Sequence, residues 1–146
     1  MHLRRTILLA LVPMLALAAT RAGAAPPPVF MMIVNPNNPV QRVDRKFVAD
    51  AFLKKTSRWD DGDLIRPVDQ TPDSPVRRRF SEEVVKRSVA AVRSYWQQVI
   101  FAGRDVPPPE LGSDDDVVRY VLKYSGAIGY VSGSANANGA KVIAVE

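Results

Sequence analysis

The chain has 146 residues, 20 basic against 15 acidic, no cysteine and a single histidine, His2. Those counts exclude a disulfide scaffold, a thiol redox centre, a Cys-His pair, and, once His2 is set aside with the amino-terminal segment, a Ser-His-Asp triad or an ordinary zinc site. Binding rather than catalysis becomes the default class, with no metal or cofactor expected.

Arg4 and Arg5 precede an apolar run from Ile7 to Ala19, and small residues follow up to Ala22-Gly23-Ala24. This is the order of a cleavable signal peptide, predicted over residues 1–24, with residues 25–146 as one exported domain in the periplasm. A permanent amino-terminal anchor is the competing reading, but the run is too short to cross a bilayer comfortably as a helix. Cleavage removes three arginines and leaves 17 basic against 15 acidic residues. Such a balance supports neither nucleic acid nor an anionic membrane as partner. About 120 residues suffice for one core without disulfides.

Val29 to Val34 reads as a buried strand stopped by Asn35-Pro36-Asn37-Asn38-Pro39. Asp44 caps a helix with Phe47, Val48, Ala51 and Phe52 on its inner face, ending near Lys54-Lys55. After a polar turn at Trp59-Asp60-Asp61-Gly62, a strand is predicted from Leu64 to Val68, then a loop to Ser74. Asp60, Asp61 and Asp63 lack the later glutamate of a calcium loop, so a solvated turn is expected there.

Ser74 is placed as an N-cap with Pro75 at the first helical position. Apolar residues recur at helical spacing from Val76 to Ile100, too far for one helix, so a break is expected near Ser88 or Ser94. Residues 105–109 read as extended. Ser113 caps a further helix with Asp114 to Asp116 in its first turn and Val117, Val118, Tyr120, Val121 and Leu122 on its buried side. Gly126 to Val131 is a turn into a buried strand, and Lys141 to Val145 a last one. Strands alternating with helices predict an α/β domain with a mixed sheet flanked by helices.

The junction before Phe80 is the most informative segment. A helix start offers free N–H groups and the positive end of the dipole, so Ser74, the Val76 and Arg77 amides, the Arg77 side chain and Gln70 are the candidate ligands of an anion. The competing reading is a plain helix cap with solvated arginines. Trp59, Tyr95 and Trp96 are read first as core, and Gly126 and Gly129 as turn formers.

Val34-Asn35-Pro36, the Ala51 to Lys55 helix end before Trp59-Asp60-Asp61-Gly62, the Ile65 to Phe80 junction, Tyr95-Trp96 and Gly126-Ala127-Ile128-Gly129-Tyr130 occur in an order that resembles the phosphate-binding proteins of ABC uptake systems, within the type II periplasmic binding proteins. The resemblance covers nearly all of residues 25–146. It implies a single periplasmic-binding-protein-like lobe whose strand-to-helix loop holds phosphate or a similar oxyanion without catalysis. Ser74 matches the serine of the family's phosphate loop and Phe80 the aromatic residue after it. Gln70 stands where the family has arginine, Pro72 where it has aspartate, Pro75 where it has glycine and Val76 where it has threonine. The expected partners are an inorganic oxyanion, an ABC transporter permease or another periplasmic protein, and a second copy of the chain in a homodimer. An accessory module that keeps the fold and binds another protein instead is the alternative.

Overall fold

The computed structural model describes residues 29–146 together with Gly23, Ala25 and Pro26; the signal-peptide expectation lies outside the described residues. None of the described helices is long and apolar enough to cross a membrane.

Strand β1 (Phe30–Val34) lies at the centre of a five-stranded mixed sheet. It pairs antiparallel with β6 (Ala127–Ser132) on one side and β7 (Lys141–Val145) on the other. The two edges are the short β2 (Arg42–Val43), parallel to β7, and β3 (Arg66–Pro67), parallel to β6. The period of two along the strands divides the core. Met32, Val34, Ile128, Tyr130 and Ile143 face one way, into a cluster with Val48, Phe52, Phe80, Val92 and Trp96. Ile33, Ala127 and Val131 face the other way, into Val117, Val118 and Val121. The sheet is therefore covered on both sides, the layered arrangement that the alternation of strands and helices predicts.

Helix α1 (Arg45–Phe52) starts where Asp44 accepts the Phe47 amide at 2.7 Å. Helix α2 (Pro75–Phe80) starts on Ser74, whose hydroxyl accepts the Arg77 amide. It widens into a π turn, Ser81–Val85, and stops at Lys86 in the left-handed region. Ser88 then caps α3 (Val89–Phe101), so the predicted break falls at Ser88 and not at Ser94. Helix α4 (Asp114–Lys123) is capped by Ser113, with three aspartates in its first turn.

Four details differ from the sequence expectation. The strand predicted over 64–68 is only Arg66–Pro67, because Leu64 bridges back to Arg58. Residues 69 and 70, expected in a loop, form β4 (Asp69–Gln70), which pairs in parallel with β5 (Glu110–Leu111) inside the segment around Pro107-Pro108-Pro109. Leu122, expected on the inner face of α4, is 38% exposed, since Val117, Val118 and Val121 already fill that face. The glycines of the 126–130 motif are set by close approach. A Cβ on Gly126 would lie 1.8 Å from the Leu64 carbonyl oxygen, and one on Gly129 2.7 Å and 2.8 Å from the methyls of Val117 and Val68.

The Gly126 carbonyl also locks the Trp59 turn, accepting from Trp59 Nε1 at 3.0 Å and from the Arg66 amide at 2.9 Å. Asn35 ties down the same end of the sheet, where Val34 pairs with Ile128: its Nδ2 donates to the Val121 and Leu122 carbonyls at the end of α4. Because backbone cannot step aside as a side-chain tip can, Gly126→Ala is expected to cost about 3 kcal/mol in urea denaturation. Gly112→Ala, where a Cβ meets nothing within 4 Å, is expected to stay within roughly 0.5 kcal/mol.

Candidate functional site

The inner face of α2 is set by spacing. Arg77, Phe80, Ser81 and Val84 stand three and four residues apart and are all buried, whereas Arg78 and Arg79 are exposed. Arg77 is only 3% exposed, so its guanidinium is a buried charge, and a buried charge needs partners.

They come from two short strands. Arg77 Nε lies 3.1 Å from Asp69 Oδ1. Nη1 donates to the Gln70 carbonyl at 2.5 Å and to Glu110 Oε2 at 3.4 Å. Asp69 also accepts from the Tyr130 hydroxyl, which in turn accepts the Gln70 amide at 3.1 Å. The Tyr130 ring is stacked on Phe80 with centroids 4.0 Å apart.

Burial pushes the Asp69 carboxyl up from 3.8 to about 6, against the lowering pull of Arg77 and of the Tyr130 and Gln70 hydrogen bonds. Burial, and then the Asp69 charge, push the Tyr130 phenol upward as well, so it remains a donor.

The structure brings Gln70, Ser74, Val76 and Arg77 together at one loop, and most of their donors are already engaged. The Ser74 hydroxyl donates to Gln70 Oε1 at 2.7 Å. Gln70 Nε2 donates to Asp114 Oδ1 at 2.9 Å and to the Tyr130 carbonyl at 3.1 Å. The Arg77 amide goes to Ser74 Oγ and the Arg78 amide to the Ser74 carbonyl. Pro75 has no N–H. The Val76 amide is the first-turn donor left outside these bonds. The Arg77 side chain points inward, away from an incoming anion, because it lies on the same helical stripe as Phe80.

Asp69, Tyr130, Glu110 and Asp114 complete the network. Sequence reasoning placed Asp69 in a loop, Tyr130 in a strand and Asp114 at a helix start, and gave Glu110, just past the proline-rich segment, no role. The available signal was Arg77 falling on the apolar stripe of its own helix, which demands an inward-facing acid.

Behind Arg77 and Asp69 lies an open cavity of about 170 Å³. Arg93, Trp96 and Ile100 of α3 form one wall, and Pro107, Pro108 and Glu110 the other. Among the described residues no group of three or more His, Cys, Asp or Glu side chains is arranged to hold a metal.

An ABC-type phosphate transport receptor from Vibrio cholerae superposes with a TM-score of 0.61 at 19% identity, over 80% of this chain and 45% of that one. The likeness is one of fold. A putative phosphate ABC transporter substrate-binding protein with bound phosphate, from Clostridium perfringens, gives 0.60 at 22% identity, over 80% and 44%. The PstS protein of Borrelia burgdorferi gives 0.63 at 10% identity, over 81% and 47%. The chain thus spans less than half the length of these structures. No family model matches the sequence, and no curated protein matches it either.

The Asp69 carboxyl makes a testable contribution. A group whose pKa is raised on folding adds stability below its unfolded value, near 3.8, and loses it as pH rises through about 6. The shift corresponds to a few kcal/mol as an order of magnitude. The stability of the wild type relative to Asp69→Asn, from urea midpoints, is therefore expected to fall between pH 4 and pH 6.5. A rise over that interval means that the ion pair outweighs burial.

Proposed function

We propose that this chain is an exported, non-catalytic solute-binding lobe that takes phosphate or a similar oxyanion at the start of α2. The observation that carries this reading is the α/β fold shared with a phosphate transport receptor and with a putative phosphate substrate-binding protein that holds phosphate, together with a Ser74-capped helix start in the segment that resembles the family's phosphate loop.

The contacts assigned to the anion are the Ser74 hydroxyl and the Val76 amide. To donate outward, Ser74 exchanges its bond with Gln70 Oε1 for one to the oxyanion, and Gln70 keeps both bonds of its Nε2. Arg77 holds the loop from beneath through the Gln70 carbonyl, and its own amide stays on Ser74 Oγ. Asp69 and Glu110 offset the Arg77 charge, so the anion meets mainly neutral donors and the exposed Arg78. Such a site is weak by design, because exposed charge contacts are screened and neutral donors contribute modestly. A membrane permease or another exported protein is the recipient this reading expects.

Isothermal titration with phosphate, sulfate and molybdate tests it. Heat with at least one anion is expected, with affinity reduced about tenfold or more in Ser74→Ala, the loss of one hydrogen bond to a charged group. No heat at millimolar anion from a folded protein, or equal heat from Ser74→Ala, overturns the assignment.

A further inference from the structure

Phe101 ends helix α3 with 96% of its surface exposed, although it is one of the largest apolar side chains in the protein. The chain turns away immediately after it: Gly103 adopts φ 66° and its amide returns to the Ile100 carbonyl. Ile100 is 51% exposed and Val106, just past the turn, 61%.

These residues adjoin the cavity between α3 and Pro107-Pro108. Arg93, Gln97, Ile100 and Phe101 stand at i, i+4, i+7 and i+8 of α3, the spacing of a stripe that meets a partner, and the first three line that cavity. Val92, Trp96 and Val99 form the separate stripe that faces the protein's own core. Arg93 is exposed and has no ion pair among the described residues.

We infer that the chain pairs with a second copy of itself through this outer stripe of α3, each Phe101 ring entering the other copy's cavity. An apolar knob and a cavity on the same face of one short helix are what a two-fold contact requires, since the axis gives each copy both roles at once. With the helices antiparallel and crossing at Gln97, position 101 of one stands opposite position 93 of the other. The unpaired Arg93 guanidinium then meets a Phe101 ring, a cation–π contact that neither makes within one chain. Glu110 on the opposite wall offsets the Arg93 charge, so the two identical faces approach without strong repulsion. Of α2 only Arg77 lines that cavity, whereas Ser74 and Val76, which carry the anion donors, do not, so the pairing stands whether or not an oxyanion binds.

Sedimentation velocity of the protein as purified after cellular processing tests this over micromolar to millimolar concentrations. A concentration-dependent dimer is expected. Phe101→Lys sets two cations against each other and is expected to weaken the dimer at least tenfold, with circular dichroism unchanged because the site is exposed. Adding Arg93→Glu to Phe101→Lys is expected to restore association, while Leu122→Lys, on α4, leaves it as in the wild type. A monomer at every concentration, a dimer indifferent to Phe101→Lys, or no recovery in the double variant overturns the inference.

Discussion

A guanidinium taken almost wholly out of water governs the middle of this protein. Desolvating Arg77 costs several kcal/mol, and the cost is recovered only where opposite charge and carbonyl oxygens are held in place. Asp69, Glu110 and the Gln70 carbonyl do so, and each comes from one of the two-residue strands β4 and β5. The ion pair therefore joins the bonds of Gln70 to Tyr130 and Asp114 in holding the small β4–β5 sheet. Through Tyr130 and Phe80 it is also joined to the main sheet and to α2.

Much of the architecture was legible because it rests on local chemistry. Asp44, Ser74, Ser88 and Ser113 each cap the helix that follows them, and a cap is written in one residue and its spacing. The short apolar runs of β1 and β6 marked both as buried strands. Of the two-residue strands only β3 fell inside a predicted one; β2, β4 and β5 were not legible, since two residues carry no periodicity and their pairing is decided by partners far along the chain, Arg42 with Ala144 and Asp69 with Glu110. The site was half legible. Gln70, Ser74, Val76 and Arg77 do meet at one loop, but the direction of the Arg77 side chain depends on Asp69 and Glu110, whose roles emerge only when three separate segments are folded together.

The shared fold and the altered loop carry different information. An α/β lobe resembling that of phosphate receptors can persist while its loop chemistry changes, because the fold is held by the two core clusters and the loop by a handful of hydrogen bonds. Here proline occupies a place where the resemblance expects glycine, and the donors that remain are turned largely toward the protein. Specificity at such a loop rests on which internal bonds a ligand can replace.

The main sheet ends at each side in a strand of only two residues, Arg42–Val43 and Arg66–Pro67. An unpaired strand edge is a template for sticking to other chains, and its danger grows with its length and flatness. Edges this short, one carrying an arginine and the other an arginine followed by proline, offer almost no ladder to extend. A chain without a single cysteine has no disulfide with which to shield its sheet, and it guards against aggregation by leaving nothing at the margins to add to.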